Sequence, residues 1–135
     1  SQGKAFRAMY AERCEAMLNA LEEYMPDCSW TRPEGGFYTW VTLPEGLDAK
    51  SMLPRAVRAR VAYVSGTAFY YDGQGADHMR LSFCYPTPEQ IREGVRRLST
   101  VVNAEKELVD MFGAGFHKQD IDEVGPGVAP APNAL

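Results

Sequence analysis

Among the residues able to do chemistry, one arginine stands apart. Arg80 lies in the otherwise apolar run Met79-Arg80-Leu81-Ser82-Phe83, downstream of a glycine-hinged segment, Pro33-Glu34-Gly35-Gly36-Phe37-Tyr38-Thr39-Trp40. A guanidinium half-buried in a strand is costly unless an anion meets it, so a carboxylate-like or phosphate-like partner is expected. Two sources are open: an internal salt bridge, with Glu34 or Asp77 as the candidates, or a group brought from outside the chain. Gly35 and Gly36 carry a similar pair of readings. They can serve a turn that needs positive φ, or they can let the backbone come close to a ligand.

Other chemistries find less support. The three cysteines, Cys14, Cys28 and Cys84, are odd in number and lack CxxC spacing, which argues against a disulfide framework and against a zinc site. His78 and His117 are far apart, without Cys, Asp or Glu at ligand spacing, so no metal site is expected. Through Asn103 the chain holds 12 Lys and Arg against 12 Asp and Glu; the rest holds 2 against 6 and carries the whole net charge of -4. With no basic stripe, nucleic acid and anionic membrane surfaces are not expected partners. No apolar run could span a bilayer and no signal peptide opens the chain, which leads to the expectation of a soluble cytoplasmic protein.

The elements that must position Arg80 follow from periodicity. Phe6, Tyr10, Cys14, Met17, Leu21 and Tyr24 recur in steps of three and four and trace a helical stripe that Pro26 ends. A short strand is expected between Cys28 and Arg32, then a turn at Pro33-Glu34-Gly35-Gly36 and a strand from Phe37 to Leu43. Asp48 can cap a second helix to about Arg60, with Pro54 inside it, and Val61-Ala62-Tyr63-Val64 reads as a third strand. A loop from Ser65 to Asp77 leads to the fourth strand, around Met79 to Phe83. Its Phe69, Tyr70 and Tyr71 are more aromatic than a solvated connection needs, so part of it is expected to pack against another surface. Thr87-Pro88-Glu89-Gln90 combines an N-cap, a proline at the first helical position and a capping-box glutamine. Ile91, Val95, Leu98 and Val102 continue the period, with an extension through Leu108 and Phe112 possible.

The fold class is therefore α+β: a two-layer sandwich in which helices cover one face of a mostly antiparallel four-stranded sheet. One domain is expected over residues 1–103, its last helix reaching to about 112, followed by a mobile acidic tail rich in Pro and Gly over 113–135. Alternation puts Met79, Leu81 and Phe83 on one strand face and Arg80, Ser82 and Cys84 on the other. With the apolar trio beneath the helices, Arg80 projects from the uncovered face.

Four segments then carry a resemblance. The glycine segment with Leu43-Pro44-Glu45-Gly46, the run Val61-Ala62-Tyr63-Val64-Ser65-Gly66-Thr67-Ala68-Phe69, the strand Met79 to Phe83, and Ile91-Arg92-Glu93-Gly94-Val95-Arg96-Arg97-Leu98 stand in the order and spacing of a known domain. The chain resembles the C-terminal small domain of a fold-type I, pyridoxal-phosphate-dependent aminotransferase. Within that fold it is most similar to the aromatic, 2-aminoadipate and kynurenine group, a domain shared with MocR-type regulators.

The resemblance implies that Arg80 binds the α-carboxylate of an amino-acid or 2-oxo-acid substrate and that Gly35 and Gly36 lie beside it. The family's Schiff-base lysine belongs to a large domain, as do its phosphate cradle and its aspartate. Lys4, Lys50, Lys106 and Lys118 have no such setting. The implied picture is a fragment of a longer, homodimeric enzyme, with the large domain as its intramolecular partner. In that picture the fragment has no catalytic residue of its own and does not hold pyridoxal phosphate by itself. Two alternatives remain: the effector-binding half of a MocR-type transcription factor, and a stand-alone amino-acid-binding module.

Overall fold

The structure, a computed structural model, describes residues 2–70, 72, 74–84 and 86–113. Helix α1 spans Gln2–Tyr24, and Met25 still donates to the Leu21 carbonyl (2.8 Å) before Pro26 halts the ladder. Of the expected stripe only Met17 and Leu21 are fully buried; Phe6 is exposed and Tyr10, Cys14 and Tyr24 are half-buried. The amino-terminal half of α1 thus runs past the core.

Helix α2 spans Ala49–Arg58. Asp48 Oδ1 accepts from the amides of Lys50 (2.9 Å) and Ser51 (3.2 Å), satisfying two donors that a helix start leaves unpaired. Pro54 is tolerated in its second turn, where Lys50, the residue whose carbonyl loses an intrahelical partner, is exposed. The helix closes in a Schellman arrangement: the Arg60 amide donates to the Val57 carbonyl (2.9 Å) and the Val61 amide to that of Ala56 (3.0 Å). Arg60, at φ 64°, occupies the left-handed position where glycine is usual.

Helix α3 spans Pro88–Phe112 and carries both halves of the capping box: Thr87 Oγ1 accepts from the Gln90 amide (3.2 Å), and Gln90 Oε1 accepts from the Thr87 amide (2.9 Å). Its buried side includes Ile91, Val95, Leu98 and Val102, as the period requires. One turn beyond, buried Glu105 pairs with Arg55 and fastens α3 to α2.

The strands β1 (Ser29–Trp30), β2 (Tyr38–Thr42), β3 (Val64–Ser65) and β4 (His78–Ser82) form one sheet in the order β1-β2-β4-β3. Every neighbouring pair is antiparallel. The register aligns Thr39 with Leu81 and Val41 with Met79, and all four are buried with the helices in a single core.

The third strand differs from the expectation of Val61–Val64. The Schellman closure engages the backbone as far as Val61, and Tyr63 turns its ring inward to donate to the Ala49 carbonyl (2.5 Å), so sheet pairing begins only at Val64. Burial pushes the Tyr63 phenol up from its ordinary pKa, and likewise raises the Cys28 thiol to about 11. No described helix is long and apolar enough to cross a membrane. Of the expected mobile tail over 113–135 only Gly113 is described; residues 114–135, His117 among them, lie outside the described residues.

Candidate functional site

Strand alternation delivers the opposite face of the sheet. Arg80 pairs with Trp40 on β2 and Val64 on β3, and Tyr38, Thr42, His78 and Ser82 share its side. Its guanidinium carbon lies 4.1 Å from the centroid of the Tyr38 ring and 5.0 Å from that of Phe69. Phe69 arrives from a short 3-10 turn, Gly66–Phe69, and meets Trp40 edge to face at 5.1 Å. Two rings therefore bracket the cation and a third braces one of them. Each such contact is worth about 0.5–2 kcal/mol, depending on how well water is excluded.

What the site lacks is an anion. Among the described residues no carboxylate pairs with Arg80, and its Nε is buried without a hydrogen-bond partner. Neither internal candidate reaches it. Asp77 Oδ1 is 2.6 Å from His78 Nδ1, and Glu34 is exposed at the glycine turn. A guanidinium fixed by ring faces, with donors unspent, is matched to a planar two-oxygen acceptor that can take two parallel hydrogen bonds.

Gly35 and Gly36 precede β2, three and two positions before Tyr38. Gly35 has φ +95°, a conformation that favours glycine, so the turn reading accounts for it directly. At either glycine an added Cβ would meet open space, which leaves the backbone approachable. The turn is held by an unexpected partner: the Tyr10 hydroxyl donates to the Gly36 carbonyl (2.9 Å) and accepts from the Gly35 amide (3.0 Å). Phe37 adds edge-to-face contacts with Tyr10 (5.3 Å) and Phe6 (5.9 Å). Among the described contacts none joins the glycine pair to Arg80.

Sequence reasoning placed Arg80 on a strand face and Tyr38 and Trp40 in another strand but did not bring them together, because only the β2–β4 register aligns them. It singled out Phe69 as a packing residue without naming its target. Tyr10 went unnoticed as a turn anchor, since within α1 it reads as one more apolar position.

No protein-family model matches the chain. The aromatic-amino-acid aminotransferase 1 of Thermococcus litoralis is 52% identical over 97 residues, covering 71% of this chain and 23% of that protein. The crystal structure of a multiple substrate aminotransferase from Thermococcus profundus superposes with a TM-score of 0.71 at 51% identity, over 74% of this chain and 25% of the other. The chain belongs to the fold-type I aminotransferases.

This aminotransferase small domain also superposes on the α-aminoadipate aminotransferase of Thermus thermophilus, complexed with N-(5′-phosphopyridoxyl)-L-leucine. There the TM-score is 0.70 at 38% identity, over 75% of this chain and 26% of that one. More distant relatives include HTH-type transcriptional regulators of Bacillus subtilis and Escherichia coli, at 31% and 26% identity over 67% and 73% of the chain and 18% and 21% of each regulator. The chain spans about a quarter of the length of the curated aminotransferases it matches first.

Pyridoxal phosphate, the cofactor this family implies, would need a lysine beside the substrate. The described lysines do not fit that need. Lys4, Lys50 and Lys106 lie on helices rather than on the strand face of Arg80, and Lys106 pairs with Asp27 (2.6 Å). Accordingly, no chemical step runs through that group on these residues.

Proposed function

We propose that this chain is the substrate-carboxylate-binding part of a pyridoxal-phosphate-dependent aminotransferase that moves an amino group between an amino acid and a 2-oxo acid. The observation that carries the reading is Arg80: a cation bracketed by two rings on the open sheet face, with a buried, unpaired Nε and no carboxylate of its own. Its role is to bind and orient. Two parallel hydrogen bonds to a carboxylate fix the rotation of the substrate about its Cα, which determines which Cα bond faces the reacting group. Gly35 and Gly36 border this place, with backbone that a ligand can approach.

The lysine, the cofactor and the acid–base chemistry are supplied in this reading by the remainder of a longer protein. A homodimeric assembly and a cytoplasmic setting accompany it. The regulator reading has support from the 26–31% identical relatives, but the 52% identity to an aminotransferase favours the enzyme.

The test is steady-state kinetics on the full-length protein with Arg80→Ala and Arg80→Lys. Loss of one partner of a desolvated charge pair lowers kcat/KM by the equivalent of about 2–5 kcal/mol, and the lysine variant recovers only part of it because it lacks the planar fork. Near-normal kcat/KM in Arg80→Ala would remove the clamp. Cofactor binding without transamination, coupled to amino-acid-dependent DNA binding, would favour the regulator.

A further inference from the structure

Two glycines outside the turn at Gly35-Gly36 are packed backbone to backbone. A Cβ placed on Gly66 would fall 2.3 Å from the Gly75 carbonyl oxygen and 2.9 Å from His78 Cβ; one on Gly75 would fall 2.7 Å from the Tyr70 ring and 2.9 Å from the Gly66 carbonyl carbon. Neither neighbour can yield cheaply, because each is backbone or is itself wedged against backbone. Gly75 also has φ +82°. The chain therefore leaves the sheet after β3 at Gly66 and is back beside that residue at Gly75 before entering β4.

The returning side of this closure is firmly anchored. The His78 amide donates to the Gly75 carbonyl (3.0 Å), the Leu43 amide to Asp77 (2.7 Å) and the Ala49 amide to Ala76 (2.7 Å). Those bonds tie residues 75–77 to β4, to the end of β2 and to the first residue of α2. On the departing side Ser65 Oγ accepts from the Thr67 amide (3.3 Å) and starts the 3-10 turn. Phe69, three residues beyond Gly66, is carried by that turn to within 5.0 Å of the guanidinium carbon, which the sheet-borne Tyr38 approaches at 4.1 Å. Tyr38 belongs to a five-residue strand and needs no further support. Phe69 is 48% exposed, so its own burial does not fix it; its edge-to-face contact with Trp40 and the closure that starts its turn do.

We infer that the Gly66–Gly75 closure is a positioning device for the carboxylate clamp: it presses Phe69 onto Arg80 and thereby holds the guanidinium fork pointing outward for its ligand. The inference rests on the clamp reading of Arg80 and adds the positioning residues Gly66, Gly75 and Phe69. A cation held between two rings keeps its in-plane donors free, whereas an ionic partner would spend them. Arg80 is thereby ordered in advance without being occupied, and the side-chain entropy lost on ligand binding falls.

Two readouts test it. In this chain the guanidinium carbon of Arg80 lies 4.1 and 5.0 Å from two ring centroids, so its Nε–H NMR resonance is expected to be displaced upfield. Phe69→Leu removes one ring and Gly66→Ala forces the closure apart; both bring the resonance back toward an ordinary arginine value, while Phe69→Tyr leaves it in place. An unchanged resonance in Phe69→Leu overturns the inference, and that variant leaves the loop backbone intact should Gly66→Ala misfold.

In the full-length protein, Phe69→Leu raises KM for the amino-acid substrate by about two- to thirtyfold, the span of a cation–π contact, with kcat little altered. Phe69→Tyr restores KM. Adding Phe69→Leu to Arg80→Ala changes KM no further. A KM effect that persists in the Arg80→Ala background overturns the inference, because Phe69 would then act independently of Arg80. A wild-type KM in Arg80→Ala alone overturns the clamp reading and the inference together, whereas failure of the NMR shift overturns the positioning role and leaves the clamp standing.

Discussion

The two faces of the sheet use the same strands for opposite ends. Beneath the helices, Val41, Met79, Leu81 and Phe83 are almost wholly buried and contribute by excluding water. On the other side, Tyr38, Trp40, Val64 and Arg80 remain partly accessible, and contacts there are between rings and a cation. Among the described residues each face also contains one buried side-chain polar atom without a partner: Thr39 Oγ1 on the helix side and Arg80 Nε on the open side. The comparison separates two meanings of such an atom. Closed in by apolar neighbours, an orphan hydroxyl is a cost to stability; on the open face, in the proposed reading, an orphan nitrogen belongs to a group whose acceptor comes from outside the chain.

The largest effect expected is on the closed face. Phe83→Ala should destabilise the chain by about 3–5 kcal/mol, since a fully buried ring is lost, and urea denaturation monitored by circular dichroism measures it. Open-face changes should divide differently. Arg80→Met, which keeps the length and apolar stem, should shift the urea midpoint little while lowering kcat/KM of the full-length protein by the equivalent of about 2–5 kcal/mol. A large loss of stability in that variant would dissolve the distinction between the faces.

Thr39→Val sharpens it from the other direction. Replacing an unpaired buried hydroxyl by a methyl group of similar shape should stabilise the chain by about 1–2 kcal/mol, read as a higher urea midpoint at unchanged m-value. The smallest effect belongs to Val64, which also pairs with Arg80 but is 37% exposed. Val64→Thr should change stability by no more than about 0.5 kcal/mol in either direction, checked by thermal melting.

Much of this arrangement is legible in the sequence because short-range rules decide it. Thr87, Pro88 and Gln90 announce the start of α3 through bonds made within four residues, and the four-residue recurrence from Ile91 to Val102 selects its buried side. Alternation alone puts Arg80 opposite Met79 and Leu81.

The parts that escape depend on pairings distant in sequence. The start of β3 is displaced by the Schellman closure of α2, and arginine at its left-handed position gives no warning of that motif, which glycine would. Asp77 is a plausible ion partner for Arg80 by proximity in sequence, but it lies in the turn before β4 and meets the neighbouring His78 instead. Likewise the aromatic bracket unites Tyr38, Phe69 and Arg80 from three separate elements, and nothing local to any of them specifies the others.

Tyr10 shows how far such a long-range link can extend. One oxygen on α1 closes a circuit with the amide of Gly35 and the carbonyl of Gly36, so the glycine hinge and the first helix swing together or not at all. Removing that atom, as in Tyr10→Phe, would keep the edge-to-face ring contact but cut the tether, and the glycine hinge would gain a degree of freedom that the native chain suppresses.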